Sequence, residues 1–220
     1  MTTLTTTYED KENIYKSRVV LLKILDERGY DVERYKNISP TEILAALQSS
    51  DKKEKKEIIK TLDFEAPFKD KAYSDFKCIV RYIMKTSAST LNKYFDTDAF
   101  QPYDSTEVII MLMDNITDTH HQIAIKQFKE NKLRVSFFMI SHLTFDPRDH
   151  YLVPKHTIVK KEEHDQLKKD LNITSFVKLP IIRYHIDPIT RVIGAMPGDV
   201  IQIVRASPSA GTYSMYRFVV

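Results

Sequence analysis

The chain has one cysteine, no tryptophan and only four glycines in 220 residues. A single cysteine, Cys78, excludes an internal disulfide and every cysteine-based zinc motif. It sits in the apolar run FKCIVRYI, where a small buried residue is expected, and it suits the chain to a reducing compartment. No apolar stretch approaches 18 residues, so no membrane span is expected. The opening MTTLTTTYED lacks the basic start and apolar core of a secretory signal. An excess of one charge is missing too. There are 33 Lys/Arg against 30 Asp/Glu, a formal net charge of +3, which is no strong cationic footprint for nucleic acid or an anionic membrane. The segment GAMPG lacks both the Lys-Ser/Thr of a P-loop and the spacing of a dinucleotide fingerprint, and no Gly-x-Ser-x-Gly elbow occurs.

What is present is unevenly placed. Residues 1–145 carry 22 cationic and 22 acidic side chains, whereas residues 146–220 carry 11 and 8, so the last third holds the whole +3. Three of the four glycines, Gly194, Gly198 and Gly211, fall in the last 34 residues. Hydrophobic residues make up 42% of the chain, enough for one large domain or two small ones.

Periodicity supplies the elements. Ile14, Val19, Leu21, Leu22 and Leu25 predict an apolar stripe on a helix over residues 8–28, stopped by Gly29. Ser39-Pro40-Thr41-Glu42 reads as a capping box opening a short helix through Leu47. The run DKKEKKEIIK (51–60) reads as a solvated helix face, with a phosphate-binding patch as the other reading. Strands are expected at 76–83, 107–113 and 133–141, with helices at 86–95 and 119–132. This alternation predicts an α/β unit with one main sheet over residues 1–145. DPRDHYLVPKH (146–156) breaks the pattern, and a domain boundary is placed there. Residues 146–220 read as a smaller α+β domain, a mixed sheet with two short helices. Its amphipathic helix is expected at 159–173, strands at 179–186, 198–205 and 212–220, and a second helix capped by Asp187 and ended by Gly194. ASPSAG joins the last two strands as a hairpin loop.

The chemistry has several open readings. His120 and His121 are adjacent and point about 100° apart on a helix. His150, His156 and His164 are closer to a usable spacing, but no second motif supports them, so neither a metal nor a cofactor is expected. An Asp/Glu-x-Lys on a strand of an α/β unit can bind Mg²⁺ and activate water, as in a nuclease. Asp75 and Lys77 offer one, with Asp63 or Glu107 as the partner carboxylate. An autonomous nucleic-acid binder draws on Arg205, Tyr213, Tyr216 and Arg217 at the closing strands. Alternation sets Tyr213, Met215 and Arg217 on one face and Thr212, Ser214, Tyr216, Phe218 and Val220 on the other. The structural alternative is that these side chains fill a small sheet core.

Taken in order, LVPKH (152–156), Leu179-Pro180 with Ile182, Asp187-Pro188, Arg191 with Ile193-Gly194, GDVIQIVR (198–205) and Ser207, then Ala210-Gly211, Tyr213, Tyr216-Arg217 and Val219 resemble the C-terminal domain of subunit 5 of eukaryotic nuclear RNA polymerases, a domain with a counterpart in archaeal polymerases. Arg28-Gly29-Tyr30 and DNIT (114–117) extend the resemblance into the first domain, which the archaeal counterpart lacks. The resemblance implies a non-catalytic polymerase subunit. It implies a C-terminal domain packed on the largest subunit, and a nuclease-like α/β jaw domain without an active site, near downstream DNA. DNA-proximal positions then fall at Lys85, Thr86 and Ser87 and at Thr117, Asp118 and Thr119. The partner-binding set is Lys155, His156, Arg205, Tyr216 and Arg217. Pro208 and Ser209 replace a Glu-Thr, and Asp118 a Pro, in the family pattern. Such departures are those expected of a fast-evolving copy, such as one encoded by a large DNA virus. A cellular copy implies the nucleus. A viral copy implies the infected-cell cytoplasm or nucleus, and the virion.

Overall fold

The computed structural model describes residues 8–43, 45, 62–70, 75–83, 91, 94–95, 100–207, 209 and 211–220. The chain divides into two compact units, Met1–Phe145 and Asp146–Val220.

In the first unit, helix α1 (Tyr8–Glu27) buries Ile14, Arg18, Leu21 and Leu25, which recur at helical spacing along one side. Val19 lies off that side and is 50% exposed, so it does not belong to the expected stripe. Arg18 is the unexpected buried member. Its Nη1 donates to the Leu62 carbonyl at 2.8 Å and its guanidinium lies 4.7 Å from the centre of the Phe64 ring, so the charge is held while the stem packs. Gly29 follows with φ +94°, and a Cβ there would stand 2.8 Å from Phe68 Cζ; only glycine satisfies both conditions without strain. The short helix α2 (Glu33–Lys36) comes next. At residues 39–43 the capping box forms as read: Glu42 N–H donates to Ser39 Oγ, and Ser39 N–H donates to Glu42 Oε2 at 2.8 Å. The charged run 51–60 and most of the helix expected at 86–95 lie outside the described residues.

Four strands form the sheet in the order β1-β2-β3-β4: β1 (Phe64–Pro67), β2 (Lys77–Ile83), β3 (Thr106–Leu112) and β4 (Arg134–Met139). The last three are parallel, and β1 runs antiparallel to β2. The sequence reading missed β1, a four-residue segment ending in Pro67, which an edge strand tolerates. β3 is buried at every position, which is why residues 108–112 are a continuous apolar run rather than an alternating one. Val108, Ile110 and Leu112 share a core with Ile79, Leu91, Phe95, Phe100, Ile123 and Phe137. Helix α3 (Asp118–Asn131) connects β3 to β4. No helix among the described residues is long and apolar enough to cross a membrane.

The second unit holds β5 (Lys155–Ile158), helix α4 (His164–Asp170), β6 (Ile181–Ile182), helix α5 (Pro188–Ile193), β7 (Val200–Ser207) and β8 (Gly211–Val219). The strand order is β5-β7-β8-β6, with β7 antiparallel to β5 and β8, and β6 parallel to β8. Two expectations shrink. The helix read over 159–173 begins only at His164, after a 3-10 turn at Lys161–Glu163, and the chain beyond it passes through Asn172 at φ 52°. The strand read over 179–186 is reduced to Ile181–Ile182, because the chain turns at Arg183, whose carbonyl accepts from the N–H groups of Ile186 and Asp187. β5 was not expected, since Pro154 and the surrounding charges read as linker. Around α5 the expectation holds. Asp187 Oδ1 accepts from Thr190 N–H at 2.8 Å and from its hydroxyl at 3.0 Å, Pro188 opens the helix, and Gly194 closes it at φ 74°.

Candidate functional site

The β5–β7–β8 register decides which of the expected partner-binding residues lie together. Lys155 pairs with Val204 and His156 with Ile203. Ile203 pairs with Met215, Arg205 with Tyr213 and Ile201 with Arg217. Side chains directly opposite share a face, so His156, Arg205 and Arg217 lie on one face with Tyr213, and Lys155 and Tyr216 on the other. The five residues therefore do not form one patch. Tyr216 packs against the core of Leu167, Phe176 and Val200, with Gln202 Nε2 3.3 Å from its hydroxyl. Arg217 Nη1 donates to the Ile181 carbonyl at 3.2 Å. His156 Nδ1 lies 2.7 Å from the Pro154 carbonyl, which places the proton on Nδ1. Lys155 and Arg205 are exposed, and Tyr213 beside Arg205 is 56% exposed. The partner-binding set leaves out Tyr151 and Leu152, which are 87% and 69% exposed, Tyr151 stacking on His150 at 5.1 Å between ring centroids. Two large apolar side chains inside a Pro-bounded charged stretch were the available signal.

In the first unit, Thr117, Asp118 and Thr119 are exposed at the start of α3. Thr117 is the N-cap, and its N–H donates to His120 Nδ1 at 3.1 Å, so a neutral imidazole fills the place a Glu holds in a capping box. The His120 ring meets Phe137 edge-on at 5.2 Å, and burial pushes its pKa down. Asp118 places a carboxylate at the positive end of the helix, where an anionic ligand would otherwise sit. Lys85, Thr86 and Ser87 lie outside the described residues.

The two candidate partner carboxylates of the nuclease reading, Glu107 and Asp63, are otherwise engaged. Glu107 is 3% exposed; its Oε1 accepts from Arg28 Nη2 at 2.5 Å and its Oε2 from the Tyr30 hydroxyl at 2.9 Å. Burial alone would lower the Arg28 pKa, but the facing Glu107, with Tyr30 and Cys78, raises it. Burial, reinforced by Glu107, also raises the Tyr30 and Cys78 pKa values. Asp63 accepts from Tyr82 N–H at 2.9 Å, and its Oδ2 lies 3.6 Å from Arg81 Nε. Glu107 pairs with Cys78 near the start of β2, whereas Asp63 is bonded at Tyr82 near its end, so the two carboxylates serve different ends of the strand. Asp75 is exposed. No three His, Cys, Asp or Glu side chains converge on a point that could hold a metal ion among the described residues.

Comparison with known proteins matches the second unit most strongly. A family model described as RNA polymerase Rpb5, C-terminal domain, matches residues 145–219. The DNA-directed RNA polymerases I, II, and III subunit rpabc1 of Dictyostelium discoideum is 27% identical over 212 residues, 96% of this chain and 100% of that protein. The DNA-directed RNA polymerase subunit Rpo5 of Methanocaldococcus jannaschii is 49% identical over 72 residues, 33% of this chain and 90% of that protein. Rpo5 of Archaeoglobus fulgidus is 46% identical over 78 residues, 36% of this chain and 100% of that protein.

Proposed function

We propose a role that proceeds from the family to which this chain belongs, the Rpb5 subunits of DNA-directed RNA polymerase. As a member, the chain is an accessory subunit without catalysis of its own. Residues 146–220 dock on the largest subunit. Residues 1–145 form part of the lower jaw and lie near downstream DNA during transcription.

One observation carries this division. An archaeal polymerase subunit corresponds over its whole length to about a third of this chain, and the matching family model covers 145–219. A polymerase can therefore hold a subunit made of the second unit alone, which supports assembly through that unit. Lys155 and Arg205, exposed on opposite faces of the hairpin sheet, are the candidate contacts, with Tyr213 as an aromatic anchor beside Arg205.

The first unit is an addition to that minimal subunit. Its 22 cationic and 22 acidic side chains give no net charge, so it gains little from counterion release as a free DNA binder. Held in a large complex, it works at high local DNA concentration and needs only a few contacts. Thr119 offers a hydroxyl there, the Thr117 hydroxyl being held by His120 in the cap, and Asp118 limits how closely phosphate approaches. We read the chain as a fast-evolving copy, such as one a large DNA virus carries, and its location follows that of its polymerase.

The test is to purify the tagged full chain from its native source and weigh what accompanies it. Two very large subunits are expected, and Lys155→Glu combined with Arg205→Glu should lower their yield. A lone monomer would overturn the role, and a lone monomer that cleaves DNA with Mg²⁺ would restore the nuclease reading.

A further inference from the structure

Strand β8 is nine residues long, but β6 pairs with only its Phe218 and Val219. On its other side β7 pairs without interruption from Gly211 to Phe218. Successive residues of a strand turn their N–H and C=O groups to opposite sides. Two bonds fix which residues of β8 face away from β7: Phe218 N–H donates to the Pro180 carbonyl at 3.0 Å, and Val220 N–H to the Ile182 carbonyl at 2.9 Å. With no bulge in the register, Tyr216, Ser214 and Thr212 face the same way. Past Pro180 the chain leaves the sheet for a 3-10 turn at Phe176–Lys178. Among the described residues, no backbone carbonyl accepts from Tyr216, Ser214 or Thr212 along this outer edge.

Exposed edges of this kind are normally blunted by charge, proline, a bulge or short length. TYSMY (212–216) contains neither charge nor proline, and Thr212, Tyr213 and Ser214 are exposed. Such a strand is a template for an added strand. Charge indicates the occupant. Residues 200–220 contain Arg205 and Arg217 and no acidic side chain. Both arginines lie on one face, and Arg217 reaches the edge itself through its bond to the Ile181 carbonyl. Two copies of this chain joined edge to edge would bring four arginines together with no carboxylate from these strands. A different polypeptide with an acidic residue on that face complements them.

We propose that the outer edge of β8, from Thr212 to Tyr216, receives an extended, acid-bearing segment of the largest polymerase subunit as a fifth strand of the sheet. This rests on the docking role given above and assigns it a binding mode. About five residues spanning roughly 16 Å suffice. Main-chain bonds to Thr212, Ser214 and Tyr216 supply affinity, and Arg217 selects for an acid.

The test combines hydrogen exchange with proline substitution in the full-length chain. The amides of Thr212, Ser214 and Tyr216 should exchange rapidly in the free chain and slowly in polymerase purified through it. Ser214→Pro removes one outward N–H, a change an edge strand tolerates because its β7 bonds come from the odd-numbered residues. It should lower the yield of the largest subunit by about tenfold, the equivalent of one or two lost hydrogen bonds. Ser214→Ala loses the same side chain, including its contact with Gln202, and should keep the wild-type yield. Equal exchange in free and assembled chain overturns the proposal, as does a wild-type yield from folded Ser214→Pro. If that variant does not fold, the exchange comparison decides. Protection in the free chain that grows with concentration would assign the edge to a second copy and equally overturn it. A wild-type chain that brings down no large subunit refutes the docking role itself, a result distinct from one in which the polymerase is recovered and its β8 edge stays unprotected.

Discussion

Replacing Glu107 by glutamine separates a structural carboxylate from a catalytic one. Glu107 accepts one bond from Arg28 and one from Tyr30, with side-chain exposures of 3% for Glu107 and 12% for Arg28. Glutamine offers one acceptor oxygen to two donors and turns an NH₂ group toward one of them. At 2.5 Å and an effective dielectric constant near 20, the ion pair is worth about 7 kcal/mol before desolvation. Removing one partner of such a buried pair costs about 3–5 kcal/mol, because the other charge stays buried and uncompensated. In a chain of this size that lowers the melting temperature by roughly 6–20 °C. Urea unfolding of Glu107→Gln followed by circular dichroism at neutral pH measures it. The double variant Arg28→Met with Glu107→Leu should recover most of the loss, leaving about 1–3 kcal/mol for the stranded Tyr30 hydroxyl. A catalytic carboxylate behaves oppositely, since neutralising a strained active-site charge leaves stability unchanged or improved. A loss below about 1 kcal/mol would refute the buried-network reasoning.

Gly29→Ala should cost more than Gly198→Ala in a thermal melt. Both have positive φ, +94° and +101°, but a Cβ at 29 would stand 2.8 Å from the Phe68 ring whereas one at 198 meets nothing within 4 Å. The backbone term is about 1–2 kcal/mol in each, so equal losses would mean that Phe68 gives way freely. His120 predicts acid sensitivity: burial lowers its folded pKa below 6.5, so as pH falls through 6.5 the unfolded chain takes up the proton first and stability drops. His120→Gln keeps an acceptor for Thr117 without titrating; its stability should be flatter over that window, and parallel pH curves for the two proteins would exclude His120 as the source.

The sequence was informative wherever one local rule decided the structure. The stop at Gly29, the Asp187-Pro188 start, the Gly194 end and the buried run of β3 each follow from a few neighbouring residues. It was least informative where tertiary pairing decides. β1 and β5 are four residues each and owe their existence to β2 and β7. Ile181–Ile182 was read as the heart of a longer strand, but the turn at Arg183 removes the partner that would have extended it. Arg18 and Glu107 were unreadable as buried groups, because what permits their burial comes from far along the chain: Leu62 and Phe64 for Arg18, and Arg28 and Tyr30 for Glu107. The expected partner-binding residues were picked by motif. Motif cannot say which side of a sheet a residue faces; the β5–β7–β8 register does, and it separates Lys155 and Tyr216 from His156, Arg205 and Arg217.

The glycines and the charge of the last third bear on one another. Gly194 and Gly211 let α5, β7 and β8 reverse direction within a few residues, which fixes the hairpin before any partner arrives. A docking surface that is already ordered loses little conformational entropy on binding, so a modest contact area is enough for docking. The same order leaves the β8 edge extended and open, with Arg217 poised at the β6 carbonyl. Specificity then has to come from rejecting wrong strands, including its own copy, and two arginines without a carboxylate do that by repulsion. On this reasoning the positive balance of residues 146–220 serves partner choice at a protein surface. Under the proposed role, the neutral first unit depends on that docking for whatever contact it makes with DNA.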